Sequence, residues 1–222
     1  MYQLSLEEAA EVKDVIFDFG GVLFEIDYNA PVREFEKLGF SNFREEYSQA
    51  FQNKIFDLLE TGKIGNDEFF SYISSFCLNA NLQQIHDAWN AILTGIWPQN
   101  VALVQLLKDR GFRTFLLSNT NAFHVSVFEE MIDHSLGMDK MHNAFEHIYY
   151  SNVIGMKKPY PETFLAVCEW NSLIPAQTLF IDDSIQHVEG ALKAGLKAHH
   201  LRNMNDLNSL VDQLLIKKGI PT

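Results

Sequence analysis

From Trp97 onward, short β-prone runs alternate with helix-like stretches at the spacing of repeated strand–helix units. Thr114 to Leu117 reads as a strand ending at Ser118, His147 to Tyr150 as another, and Thr178 to Ile181 as a third that ends at Asp182 and Asp183. Lys197 to His200 is a last short strand. Between them lie helical segments: one opened by Pro98 and stopped by Gly111, then Ala122 to Ile132, Pro161 to Trp170, and Ile185 to Ala194 closed by Gly195. Leu207 to Ile216 closes the series. Parallel strands need crossover connections, and the helices that make them cover both faces. The alternation therefore predicts an α/β fold with a parallel sheet covered on both faces.

One further strand precedes this region. Val15-Ile16-Phe17 is a short apolar run that ends at Asp18 and enters a turn at Gly20-Gly21. The intervening chain has a different texture. Phe51, Ile55, Phe56 and Leu59, and later Ile85, Trp89 and Ile92, recur at helical spacing. Asn66 or Asp67 is placed to N-cap one helix and Asn81 another. Glu60 to Gly65, with Lys63 in it, reads as a turn between two such helices. The pattern predicts no strand from Pro31 to Leu93. We divide the chain into a core of residues 1–27 and 96–222 and an all-helical insert of residues 28–95.

Charge and hydropathy narrow the function classes. The formal net charge is −12 and no cluster of Lys and Arg is present, which argues against a nucleic-acid binder. A phosphate site on so acidic a chain has to be made locally positive by a metal, a lysine or backbone N–H groups. No run approaches the roughly 20 apolar residues of a membrane span. The first residues carry Glu7, Glu8 and Glu11 with no basic residue before Lys13, unlike a secretory signal, so a cytoplasmic protein is expected. Cys77 and Cys168 form no CxxC pair and are read as buried free thiols.

In sheets of this kind ligands bind at the carboxyl ends of the strands. There the chain delivers Asp18, Ser118 with Asn119, and Asp182 with Asp183, while the loop after the third strand supplies Gly155, Lys158 and Pro159. Carboxylate oxygens suit Mg²⁺. An ionised carboxylate can attack phosphorus, and lysine and hydroxyl groups can neutralise the equatorial phosphoryl oxygens.

The motifs around these residues resemble those of the haloacid-dehalogenase superfamily. Val15-Ile16-Phe17-Asp18-Phe19-Gly20-Gly21-Val22 is similar to its first motif and Leu116-Leu117-Ser118-Asn119-Thr120-Asn121 to its second. Gly155-Met156-Lys157-Lys158-Pro159-Tyr160-Pro161 is similar to its third and Phe180-Ile181-Asp182-Asp183-Ser184 to its fourth. The nearest likeness is to the bacterial α-glucose-1-phosphate phosphatase group. The resemblance implies a Rossmann-like core with a helical cap inserted after the first strand, and an Mg²⁺-dependent phosphatase acting on a small phosphorylated metabolite. It implies Asp18 as nucleophile and metal ligand, the Gly20 main-chain carbonyl and Asp183 as further ligands, and Asp182 as a metal or outer partner. Ser118, Asn119 and Lys158 would hold the phosphoryl group, and Lys157 would be a solvated surface charge.

One position departs from the pattern. Most phosphatases of the superfamily carry a second Asp two residues after the nucleophile as general acid and base. Here that residue is Gly20. Glu25 and Asp27 are candidate substitutes, with solvated or hinge positions as the alternative. Two other readings stand beside the phosphatase: a haloacid dehalogenase-type hydrolase, against which the acidic pair argues, and a binding module that has lost catalysis at Gly20. A receiver domain is disfavoured because its acidic pair comes on the first strand. His199 and His200 are expected to be structural or exposed.

Overall fold

The computed structural model describes residues 2–48, 54–217 and 219. Among them, α1 (Leu6–Glu11) leads into β1 (Asp14–Phe17), followed by β2 (Phe24–Ile26). Five helices come next: α2 (Asn29–Lys37), α3 (Phe43–Ser48), α4 (Lys54–Glu60), α5 (Asn66–Ser74) and α6 (Leu82–Asn90). The chain continues through β3 (Leu93–Ile96), α7 (Pro98–Asp109), β4 (Arg113–Ser118), α8 (Ala122–Ser135), α9 (Met138–Ala144) and β5 (His147–Tyr150). It ends with α10 (Ser151–Ile154), α11 (Pro161–Trp170), β6 (Thr178–Asp182), α12 (Ile185–Lys193), β7 (Lys197–His200) and α13 (Met204–Lys217).

The main sheet has the order β5-β4-β1-β6-β7 with every pairing parallel. Its central strands are apolar on both faces because each face meets its own helical layer. Val15, Phe17, Leu116, Leu179 and Ile181 join one buried cluster, and Ile16, Phe115, Leu117 and Phe180 join the other. This is why the strands read as continuous apolar runs rather than alternating ones. Phe17 pairs with Leu116 on one side and Ile181 on the other, which sets Asp18 level with Asp182 and one residue short of Ser118. Pro98 opens α7, and Gly111 follows its C-cap with φ +86°.

Helices α2 to α6 have a separate core, built largely of aromatic rings: Phe35, Phe40, Phe43, Phe56, Phe69 and Trp89 are all buried in it. Asn81 caps α6 through a reciprocal capping box with Gln84. The other capping expectation is corrected. The extended residue before α5 is Gly65, one position before Asn66, and no side chain caps that helix. Phe51 lies outside the described residues. A second correction concerns strands. Leu93–Ile96 is a strand, paired antiparallel with Phe24–Ile26 across an irregularity at Glu25/Ile26. This two-stranded ribbon joins the helical insert to the main sheet, and its strands are too short and too irregular to leave a periodic signal. Cys77 and Cys168 are buried and free. No helix among the described residues is long and apolar enough to cross a membrane.

Candidate active site

The Asp18 N–H continues the ladder to the Ile181 carbonyl at 2.9 Å, so the residue leaves β1 in a fixed direction. The chain then turns tightly, with the N–H groups of Leu23 and Phe24 both donating to the Phe19 carbonyl. Gly21 sits in this turn at φ +74°, and a Cβ there would overlap the Asp183 carboxylate. Glycine is thus required twice, for the backbone angle and for the approach of the first and last motifs.

Lys158 is the hub. Its side chain is fully buried, and Nζ donates to Asp18 Oδ1 at 2.5 Å and to Asp182 Oδ2 at 2.8 Å. Burial opposes its charge, but the two carboxylates outweigh burial and hold its pKa above the ordinary value. The Asn119 side chain clamps the same residue from behind: Lys158 N–H donates to Asn119 Oδ1 and Asn119 Nδ2 donates to the Lys158 carbonyl, both at 2.9 Å. The Asn119 amide therefore works on Lys158. Ser118, buried at the end of β4, makes a long 3.5 Å contact from Oγ to the Asn119 carbonyl.

Asp182 is fully engaged. Besides Lys158 it accepts from the Ser184 N–H at 2.7 Å and meets His187 Nδ1 at 2.9 and 3.1 Å. Burial alone would raise its pKa, yet Lys158 and His187 hold it below the ordinary carboxylate value. The other two acids behave oppositely. Burial, followed by the charge of Asp182, pushes Asp18 up to about 6. Burial, followed by the charges of Asp18 and Asp182, pushes Asp183 up to about 7. Among the described residues, no cation pairs with Asp183. Asp18 and Asp182 share one ammonium and Asp183 feels the charge of both, so the group carries an excess of negative charge and hard oxygen donors, which suits Mg²⁺. A ring nitrogen of His187 also lies within 4.8 Å of oxygens of Asp18 and Asp182. That cluster is a poorer cage, because the Lys158 ammonium already bridges its two carboxylates.

Above these groups opens a cavity of about 470 Å³, lined by Asp18, Gly20, Ser118, Asn119 and Lys158 on the core side. Tyr28, Arg44, Tyr47, Glu60 and Trp89 close it from the helical insert, and His187 reaches it from α12. His187 escaped the sequence reading although it lies one helical turn beyond the Asp182-Asp183 pair. Glu25 and Asp27, the candidate acids, do not line the cavity. Glu25 is exposed on β2, while Asp27 pairs with Arg33 at 2.7 Å and accepts from the Asn29 N–H at 2.9 Å. Lys63 is exposed and also outside it. Lys157 is corrected from surface to interior: it is 7% exposed and paired with Asp57 and Glu60 of α4. His199 is buried, and its Nδ1 accepts from the Leu4 N–H at 3.3 Å. His200 Nε2 meets the Asp183 carbonyl at 2.9 Å, so both histidines are structural.

A family model of the haloacid dehalogenase-like hydrolases matches residues 12–195. The chain belongs to this family. Within it, the chain is 28% identical over 196 residues to the D-ribitol-5-phosphate phosphatase of Bacteroides thetaiotaomicron, covering 88% of this chain and 94% of that protein. It is 25% identical over 196 residues to the sesquiterpene phosphatase astK of Aspergillus oryzae, covering 85% and 89%. A solved HAD family enzyme of Bacteroides thetaiotaomicron, in complex with magnesium and inorganic phosphate, superposes with a TM-score of 0.76. That match is 32% identical and covers 86% of this chain and 94% of the solved one.

Proposed function

We propose that this protein is an Mg²⁺-dependent phosphatase that hydrolyses small phosphorylated metabolites through a phosphoryl group carried on Asp18. The observation that carries the reading is the Lys158 ammonium bridging Asp18 and Asp182 on the floor of the cavity. A carboxylate held this way keeps a defined oxygen toward the substrate, and the same ammonium is in place to neutralise phosphoryl oxygens as charge develops. The phosphatase relatives and the magnesium and phosphate complex of the solved relative support the same chemistry.

Asp18, Asp183 and the Gly20 main-chain carbonyl would hold the ion, which would neutralise the excess carboxylate charge and draw phosphoryl oxygens toward Asp18. Asp182 is better read as the partner that orients Lys158, since its oxygens already accept from Lys158, Ser184 and His187. Ser118 would donate to a phosphoryl oxygen, and Asn119 would hold the Lys158 backbone. Residues 28–95 would act as the cap that chooses the leaving group. An anomeric sugar phosphate such as glucose 1-phosphate suits a site without a carboxylic acid at position 20, because its leaving hydroxyl is more acidic than a simple alcohol.

The test is phosphate release from a panel of phosphorylated metabolites, with Mg²⁺ and with EDTA. Release that EDTA abolishes and Mg²⁺ restores is expected. Halide release from haloacids that is indifferent to EDTA would point to the dehalogenase reaction instead.

A further inference from the structure

Successive residues of the third motif bind different parts of the molecule. Lys158 reaches the Asp18 carboxylate in the core, whereas Lys157 reaches the helical insert. Lys157 Nζ stands 2.8 Å from Asp57 Oδ1 and 2.9 Å from Glu60 Oε2, both on α4. That helix is anchored in the aromatic core of the insert by Phe56 and Leu59, a cluster separate from the two that flank the sheet. The three charged groups therefore tie the insert to the core at α4, apart from the contacts that α8 makes with the insert through Phe123 and His124.

A second contact lies beside them. Gly62, just after α4, has φ +65°, and a Cβ there would overlap the Asn152 main-chain carbonyl of α10. The insert is thus seated backbone against backbone, immediately before the loop that carries Lys157 and Lys158. That loop is rigid at its other contacts: Thr163 Oγ1 donates to the Lys157 carbonyl at 2.8 Å, and Asn119 clamps the Lys158 main chain. Glu60 and Lys157 both line the catalytic cavity, so the seam and the substrate share a wall.

A buried lysine with two carboxylates is a poor choice for stability alone, because an apolar replacement of similar volume is often as stable. What a charged cluster supplies is one defined geometry, and its members rehydrate when parted, whereas an apolar seam would expose greasy surface. Burial works against the Lys157 ammonium, but Glu60 and Asp57 outweigh it and keep its pKa above the ordinary value.

We infer that Lys157 is a positioning residue: through Asp57 and Glu60 it clamps the helical insert onto the core and so fixes the wall that receives the leaving group. The inference rests on the phosphatase reading of the cavity. A weakened clamp lowers the fraction of molecules with the wall in place, and apparent affinity falls by that fraction, while bound substrate can still draw the insert down.

The experiment compares Lys157→Met, Lys157→Arg and the double variant Asp57→Asn with Glu60→Gln in the full chain. With p-nitrophenyl phosphate and saturating Mg²⁺, Lys157→Met is expected to raise KM about tenfold while kcat stays within about threefold. Lys157→Arg, which keeps the charge, is expected to recover most of that loss, and the double variant to reproduce it. Hydrogen exchange gives a readout without turnover: amides of α4 and α10 should exchange at least about tenfold faster in Lys157→Met, with β1, β4 and β6 unchanged. An unchanged KM, an arginine variant as impaired as the methionine one, or unchanged exchange at α4 would overturn the clamp. Should the wild type release no phosphate under any condition, the phosphatase reading fails, and the exchange data still decide whether Lys157 holds the insert. Should Lys157→Met not fold, the arginine variant and Glu60→Gln carry the same comparison.

Discussion

The Lys158 ammonium contacts Asp18 at 2.5 Å with no exposed side-chain surface of its own. A buried charge pair of this kind is costly to break from one side, since the remaining partner is left unpaired. The same ammonium aims the carboxylates of both strand-end residues, Asp18 and Asp182, and partly compensates their charge before substrate arrives.

Asp18→Asn is therefore expected to abolish phosphate release while leaving the fold intact. The amide matches the carboxylate in shape but cannot attack phosphorus, and Lys158 keeps Asp182 as a partner. Circular dichroism checks the fold, and phosphate release under saturating Mg²⁺ checks the activity. More than about a tenth of wild-type turnover would remove Asp18 from the nucleophile's role, given the size of covalent-catalysis effects.

Metal binding should separate the acidic pair. Asp183 has no cation partner among the described residues, whereas Asp182 is occupied by Lys158, His187 and the Ser184 N–H. Asp183→Asn is expected to weaken Mg²⁺ binding more than Asp182→Asn, whose loss should resemble the roughly 10–100-fold cost of removing an outer partner. Calorimetric titration of each variant with Mg²⁺ measures this directly. Equal affinities would contradict the ranking.

Much of this site was legible in the chain because its elements are local. β1, β4 and β6 are buried on both faces, so each announced itself as an apolar run with polar residues at its end. What was not legible depends on contacts between distant segments. Lys157 looks like any loop lysine until α4, about a hundred residues earlier, places Asp57 and Glu60 against it. His187 gains its role only when α12 folds over the end of β6 and turns Nδ1 toward Asp182. The β2–β3 ribbon has strands of three and four residues with an irregular pairing, too little for periodicity to register.

His124 makes stability depend on pH. From α8 it stacks on Trp89 of α6 at 4.9 Å, with Nε2 on the Trp89 carbonyl and Nδ1 on the Asn121 amide, which fits a neutral ring. Burial pushes its pKa down to about 4, from 6.5 in the unfolded chain. Between those values the unfolded state binds more protons, so this contribution is present above pH 6.5 and is lost as pH falls toward 4. Chemical denaturation of wild type and His124→Asn should show the wild type losing roughly 2–3 kcal/mol more than the variant between pH 7 and 4.5. Parallel losses would mean that the ring is not held neutral.

Under the proposed phosphatase reaction, position 20 is expected to set how the leaving group departs. With glycine there, and with Glu25 and Asp27 outside the cavity, neither candidate acid is placed to protonate the departing oxygen. Negative charge should then build on that oxygen, and rate should rise as the pKa of the leaving alcohol falls. Aryl, acyl and anomeric sugar phosphates are expected to react faster than simple primary alkyl phosphates. Glycine is not required at this position by its backbone angle, in contrast to Gly21. A Cβ at Gly20 would meet the Ile26 Cδ1 atom at 2.9 Å, the flexible end of a side chain that can be shortened. The double variant Gly20→Asp with Ile26→Val therefore has room for the missing acid. It is expected to flatten the dependence of rate on leaving-group pKa and to speed alkyl phosphates by up to about 10²-fold, the lower end of what a positioned general acid supplies. The measurement is kcat/KM against leaving-group pKa for wild type and double variant, at saturating Mg²⁺ and with chemistry shown to limit turnover. A flat line in the wild type would mean that a proton donor is already in place, and His187 and Tyr28, which line the cavity, would be the residues to replace next.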